Sequence, residues 1–224
     1  QAAEEHQKST NLYELMRSMP FRDSASPLTF SRFWGEGSVS SYTAQLRTSR
    51  VAIYIQGGWH DDFRREGLVA WANLPNHPRV VIGPWTHCAT AGFNMTAEMR
   101  RFFDYHLKGV DTGIESQDAI HYYTMNAPRG QEWRSTNVWP LPDTRMERFF
   151  LVGGKGRGAL ATRAPQGRAN ASFQVQYGVD CPHDGPVSAF AQPCHVDGAG
   201  PSYATAPLSA DTEVTGHPLV DLWI

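Results

Sequence analysis

Two short apolar runs, Val51-Ala-Ile-Tyr-Ile55 and Arg79-Val-Val-Ile-Gly83, limit the folds open to this chain. Neither alternates with polar residues, so both faces of each strand need cover, as in a parallel sheet flanked by helices. Each run ends where the backbone can turn sharply, at Gly57-Gly58 and at Gly83-Pro84. Between them Arg64–Asn73 reads as a helix with Leu68, Val69 and Ala72 on one side. After the second, a helix is predicted from Thr96 to Lys108. Its Met99, Phe102, Phe103 and Leu107 share a stripe, with Thr96 as the cap and Gly109 as the stop. Strand, helix, strand, helix is a fragment of a doubly wound α/β sheet, whose chemistry lies on loops leaving the carboxyl ends of its strands.

The flanking regions have other textures. In residues 1–46, Leu12, Leu15, Met16 and Met19 fall at helical spacing and Pro20 closes that helix, while Ser26-Pro27 and Gly35-Glu-Gly37 interrupt the rest of the region. Two short helices joined by loops are expected there, with too few apolar positions for a core. Beyond about residue 115 the helical period is lost. Residues 120–125, 149–152, 173–177 and 220–224 are short strand candidates, and Gly and Pro recur throughout 151–224. That pattern suggests an all-β sandwich of jelly-roll type. The expected division is 1–46, 47–114 and 115–224.

Charge and length narrow the function classes. Twenty Lys and Arg against 22 Asp and Glu give a net charge of -2, which offers no footprint for a nucleic-acid backbone. No apolar run approaches the roughly 20 residues of a membrane-spanning helix. Cys88, Cys181 and Cys194 form no CxxC or zinc spacing. Three structural thiols is one reading and a Cys181–Cys194 disulfide is another, so the compartment stays open, the cytoplasm being slightly favoured over a secreted or periplasmic location. The chain opens at Gln1 without a signal-peptide core and stops in the strand-like Pro218–Ile224. It is therefore expected to be a piece of a longer protein that self-associates when isolated, its β region being less stable than its α/β region.

Chemistry-bearing residues gather in the two loops after the apolar runs, Gly57-Gly-Trp-His-Asp-Asp-Phe63 and Gly83-Pro-Trp-Thr-His87. An acid after one strand and a His after the next is the order of the last two members of a Ser…Asp…His triad. Such a His takes a proton from a nucleophile, and the carboxylate holds its ring in the right tautomer. Neighbouring parallel strands bring their exit loops within about 5 Å, so Asp61 is expected within hydrogen-bond reach of His87, with Asp62 as the alternative acid. Simpler readings stand beside this one: Asp61 as a turn residue, and His87 as a histidine satisfied by its surroundings. His60, Asp61, Asp62 and His87 lack the HxxxH or HxH spacing of a metal site, so no metal and no cofactor is expected. Cys88 has no separate base. Asp104 and Lys108 read as a solvated pair four residues apart on a helix.

The motifs Gly58-Trp-His-Asp61, Gly83-Pro-Trp-Thr-His87 and Arg101-Phe-Phe-Asp-Tyr-His-Leu-Lys-Gly109 resemble those of the CocE/NonD hydrolases, the cocaine-esterase and X-Pro dipeptidyl-peptidase relatives. Trp133-Arg134, Trp139-Pro140 and Thr212-Glu-Val-Thr-Gly-His-Pro218 resemble that family's C-terminal jelly-roll domain. The resemblance runs from about Tyr42 onward. It implies the C-terminal part of an α/β-hydrolase sheet with a remnant helical cap in 1–46, followed by an incomplete jelly-roll-like sandwich. It also implies Asp61 as the triad acid and His87 as the base. Trp59 and Trp85 flank them as candidates for the substrate pocket, or as packing beneath the loops.

One departure bears on activity. The family nucleophile is a Ser on a G-x-S-x-G elbow upstream of the acid, and no such elbow occurs here. Gly35-Glu-Gly-Ser-Val39 comes closest but has neither the preceding strand nor the second Gly, which sets Ser38 aside. The expectation is a serine-hydrolase portion that supplies Asp and His and is inactive alone. The alternative is a non-catalytic binding or structural module derived from a hydrolase half. In the amino-ester branch of the family, acids follow the triad Asp at the positions held here by Phe63 and Arg64. The expected substrate is accordingly a small ester, amide or short acyl-peptide with a neutral or anionic acyl group. A homo-oligomer is compatible with the sequence.

Overall fold

The computed structural model describes residues 2–76, 78–153, 157–167, 170–174 and 200–222. They form two compact units, one of Gln1–Ile53 with Asn73–His77, the other of Tyr54–Ala72 with Pro78–Ile224.

The first unit is built of short helices: α1 (Ala2–Gln7), α2 (Leu12–Arg17), α3 (Phe33–Glu36) and α4 (Thr43–Thr48), with a 3-10 turn at Val39–Tyr42. Asn11 starts α2 by accepting from the Tyr13 and Glu14 amides at 3.1 and 3.3 Å. The helix stops at Ser18, short of Pro20. Met19 is buried, and its carbonyl accepts from the Trp34 indole at 2.9 Å. Leu12, Tyr13, Met16, Phe21 and Phe30 are exposed. The expectation of too small an apolar core holds for this unit.

The second unit is organised around a four-stranded sheet in the order β1 (Tyr54–Gly58), β2 (Arg79–Gly83), β3 (Ile120–Tyr123), β4 (Trp133–Thr136). The β1–β2 and β2–β3 pairs are parallel, and β3–β4 is antiparallel. Helix α5 (Glu66–Asn73) follows β1, and α6 (Met95–Lys108) follows β2. All five residues of β2 are buried, as an apolar run without alternation requires. Alternate residues serve opposite faces. Val80 and Ile82 join Leu68 of α5, Ile120, Tyr122 and Trp139 in one core cluster. Against the other face, Phe102 of α6 packs edge-on to Tyr54 at 5.4 Å.

That second face also carries buried and partly buried polar groups. The Tyr54 hydroxyl donates to Glu98 at 3.2 Å, Arg101 pairs with Glu98 at 2.9 Å, and Arg79 donates to the Asp118 carbonyl at 3.1 Å. Burial, followed by the Glu98 charge, pushes the Tyr54 phenol well above its usual range. Burial, followed by the Arg79 charge, pushes His121 down.

Several boundaries differ from the sequence reading, each for a physical reason. β1 begins at Tyr54, not Val51, because its ladder is set by β2, with Tyr54 opposite Arg79 and Gly58 opposite Gly83. Gly57-Gly58, expected beyond the strand, are its last two residues. Helix α6 is capped by Asn94, whose side chain accepts from the Ala97 amide at 3.0 Å, and not by Thr96. Gly109 closes it at φ 69°, as expected. Strands β3 and β4, assigned from sequence to the sandwich, extend the first sheet, so the α/β architecture reaches past residue 115.

A second, three-stranded sheet follows: β5 (Phe150–Val152), β6 (Arg157–Ala161) and β7 (Ser202–Ala204). The sheets and helices are compatible with an α/β-hydrolase portion and a further C-terminal domain. Phe173 and the segment 219–222 lie outside any strand, and Leu219, Val220 and Leu222 are exposed. The remainder of those two strand candidates, and Cys181 with Cys194, fall outside the described residues.

Candidate active site

The two loops are built as continuations of the β1–β2 ladder. The Trp59 amide donates to the Gly83 carbonyl at 2.9 Å and the His60 amide to the Trp85 carbonyl at 3.0 Å. Such close approach needs bare backbone. A β-carbon at Gly58 would lie 2.2 Å from the Trp85 carbonyl oxygen, and one at Gly83 would run into the Trp85 indole. The glycines read from sequence as turn signals are thus what lets the two loops meet.

Where they meet, His87 Nδ1 lies 3.2 Å from each carboxylate oxygen of Asp61. Asp61 is nearly enclosed, its side chain 12% exposed, whereas His87 is 39% exposed. The Phe63 amide donates to Asp61 Oδ1 at 3.1 Å, an Asx turn that aims the carboxylate. Arg64 donates to the Asp61 carbonyl at 3.1 Å. Burial works to raise the Asp61 pKa. The Phe63 amide, the His87 hydrogen bond and charge, and the Asp62 amide outweigh it and hold the group below the ordinary carboxylate range. An ionised carboxylate only accepts, so the His87 proton in this contact sits on Nδ1 and the basic lone pair on Nε2. Chemically, the pair can take a proton at Nε2 and stabilise the resulting imidazolium.

Comparison with known proteins gives the setting. Residues 1–89 match the profile of the X-Pro dipeptidyl-peptidase (S15 family), and residues 112–224 match the X-Pro dipeptidyl-peptidase C-terminal non-catalytic domain. The chain belongs to the X-Pro dipeptidyl-peptidase-like family. Proteins with provisional serine-esterase names from Mycobacterium bovis (strain ATCC BAA-935 / AF2122/97) and Mycobacterium tuberculosis (strain CDC 1551 / Oshkosh) are each 29% identical over 210 residues. That is 84% of this chain and 32% of each relative. Cocaine esterase of Rhodococcus sp. (strain MB1 Bresler) is 30% identical over 125 residues, 48% of this chain and 21% of that protein. The chain therefore spans about a third of the length of the mycobacterial relatives, within a family of hydrolases.

The remaining candidates of this family member take distinct places. Asp62 is exposed, and the contact with His87 is made by Asp61. Trp85 is 3% exposed, packed against Gly58 and Gly83, with its indole donating to the Ala91 carbonyl at 2.9 Å. Trp59 packs on the core cluster and donates to the Tyr123 carbonyl at 2.6 Å. The Trp85 ring occupies the space beside Gly83, and the Trp59 ring packs on the core cluster beneath its loop. Exposed Phe63 is the aromatic residue beside the pair, its ring 5.8 Å from the His87 ring. The sequence reading missed Phe93 and Trp133, which pack against Trp85, and Tyr123, which packs against Trp133. Only Trp133 carried a signal, as the first residue of the Trp133-Arg134 motif.

Cys88, exposed at φ 59°, follows His87 in the turn. The hydroxyl of Ser38 is engaged with that of Ser40 at 2.8 Å. No group of three or more His, Cys, Asp or Glu with metal-binding geometry occurs among the described residues. No helix among them is long and apolar enough to cross a membrane. On α6, Asp104 pairs with Lys108 at 2.5 Å and with Arg100 at 3.4 Å, as expected for a surface pair.

Proposed function

We propose that this chain supplies the acid and the base of a Ser-His-Asp acyl hydrolase. Asp61 is the acid that orients and stabilises, and His87 is the base that takes the proton of a serine hydroxyl and returns it to the leaving group. The observation that carries this reading is the contact of His87 Nδ1 with both Asp61 oxygens at 3.2 Å, on loops leaving two adjacent parallel strands. The nucleophilic serine and the oxyanion donors belong to a segment this chain does not contain, and the chain by itself is inactive. Residues 1–46 are the tail of a cap, 47–114 the end of the catalytic domain, and 115–224 part of a jelly-roll-like domain whose first strands, β3 and β4, pair onto the catalytic sheet.

The substrate is a small ester, amide or short acyl-peptide. Phe63 and Arg64 present an apolar ring and a cation after Asp61, and neither favours an ammonium on the acyl group. The Phe63 ring beside His87 and the Arg64 cation on the Asp61 carbonyl fit a neutral or anionic acyl group. A p-nitrophenyl ester series tests this in the complete gene product, with acetyl, succinyl and α-aminoacyl esters compared by kcat/KM. The α-aminoacyl ester should be the poorest substrate; its being the best would overturn the assignment.

A further inference from the structure

We propose that Trp133 on β4 is a positioning residue for the Asp61–His87 pair, acting through an aromatic bridge. The proposal rests on the reading of that pair as acid and base. Three contacts define the bridge. The Trp133 ring lies 5.7 Å from Trp85 and 5.4 Å from Phe93, residues on either side of His87. Trp85 and Phe93 are themselves 5.6 Å apart, and the Trp85 indole closes the segment by donating to Ala91. The loop carrying His87 is thus packed at both ends against one indole.

The acid's loop is tied to the same place. Trp133 is the register partner of Tyr123 and meets its ring at 5.3 Å. The Tyr123 carbonyl receives the Trp59 indole at 2.6 Å, two residues before Asp61. The β3–β4 hairpin therefore holds both loops, one through the Trp133 ring and the other through the Tyr123 carbonyl. Trp133 is half-exposed and lies outside the core cluster of Leu68, Val80, Ile82, Ile120, Tyr122 and Trp139. Its ring contacts are with Trp85 and Phe93 of the His87 loop and with Tyr123 of β3. It also falls within the segment matched by the non-catalytic domain profile, which makes that segment a contributor to the geometry of the pair. Small displacements of a catalytic base matter, because proton transfer needs heavy atoms within about 3 Å.

Nuclear magnetic resonance on the complete gene product with labelled aspartate tests the bridge without relying on catalysis. The Asp61 carboxyl titration is followed in the parent and in Trp133→Leu, Trp133→Phe and Trp139→Leu. Loosening the His87 loop removes hydrogen bonding and charge that hold the Asp61 pKa down. The Trp133→Leu midpoint should therefore rise by about half a pH unit or more, and Trp133→Phe should restore it. Trp139→Leu, which damages the core cluster, should lower thermal stability more and leave the Asp61 midpoint in place. An unchanged midpoint in Trp133→Leu, or an equal shift in Trp139→Leu, would overturn the proposal. Should Trp133→Leu not fold, Phe93→Leu removes the bridge from its other side, with the same two readings. A second arm measures p-nitrophenyl acetate hydrolysis by the complete gene product. Trp133→Leu should lower kcat about tenfold with KM changed less than about twofold; a change in KM alone would also overturn it. If His87→Ala is silent in that assay, the acid–base reading fails separately, while the titration still decides the bridge.

Discussion

Strands β2 and β6 are each five residues long and each is paired on both sides, yet they are held very differently. Every residue of β2 is buried, whereas β6 has none that is. β2 runs parallel to both neighbours, while β6 is antiparallel to β5 and parallel to β7, but the larger difference is cover. Fully burying an aliphatic side chain contributes about 1.5–3 kcal/mol, so Val80, Val81 and Ile82 anchor their sheet in a way that β6 does not. The Asp61 and His87 loops leave the anchored sheet. A geometry that must hold to a few tenths of an ångström is thus mounted on the part of the molecule least able to yield.

The sharpest way to break that comparison is to place the same charge in both sheets. Val81→Asp, at a side chain 0% exposed, should cost more than about 4 kcal/mol and unfold the first sheet. Leu151→Asp, 39% exposed on β5, should cost under about 1 kcal/mol. Urea unfolding followed by circular dichroism reads both, and equal losses would remove the distinction. Within the anchored sheet, Gly58→Ala should cost about 2–3 kcal/mol by forcing a β-carbon into Trp85. Gly57→Ala, whose β-carbon would meet Ile82 at 3.7 Å, should cost about 1 kcal/mol or less.

Two smaller effects are read by pH. The folded-state pKa of Asp61 is depressed. Its contribution is therefore present above the unfolded value of about 3.9 and lost as pH falls through the folded value. Asp61→Asn should flatten the fall of the urea midpoint below about pH 4; an unchanged acid slope would contradict the depressed pKa. His121 is also depressed, with Nε2 buried and making no hydrogen bond among the described residues. Below about pH 6.5 the unfolded chain takes up that proton first, so stability declines on acidification. His121→Phe should flatten this shallower slope between about pH 6.5 and 5, while the same slope in both proteins would show that His121 does not titrate there.

Legibility in the sequence divides along the same line. Arg79–Gly83 was legible to the residue because continuous burial leaves a continuous apolar run. The start of β1 was not, since Val51 to Ile53 look equally strand-like and only the register with β2 excludes them. β4 and β6 carry mixed exposure and gave no period to find. At the site, the order of the two loops suggested the Asp61–His87 pair, and the resemblance of the Gly-Trp-His-Asp and Gly-Pro-Trp-Thr-His motifs to the CocE/NonD hydrolases decided it. The motifs did not assign the tryptophans, because packing beneath a loop and lining a pocket call for the same residue. Phe93 and Tyr123 come from a turn and a distant strand. Their convergence on Trp85 and Trp133 is a tertiary fact without a local signature.

The central claim is that His87, held by Asp61, is the base of an acyl hydrolase. Its most direct measurement is the kcat of the complete gene product on a p-nitrophenyl ester, with and without His87→Ala, each variant checked for an unchanged melting curve. We expect hydrolysis by the parent and a loss of roughly 10³-fold or more in the variant. No hydrolysis by the parent, or a loss of less than about fivefold in the variant, would contradict that role.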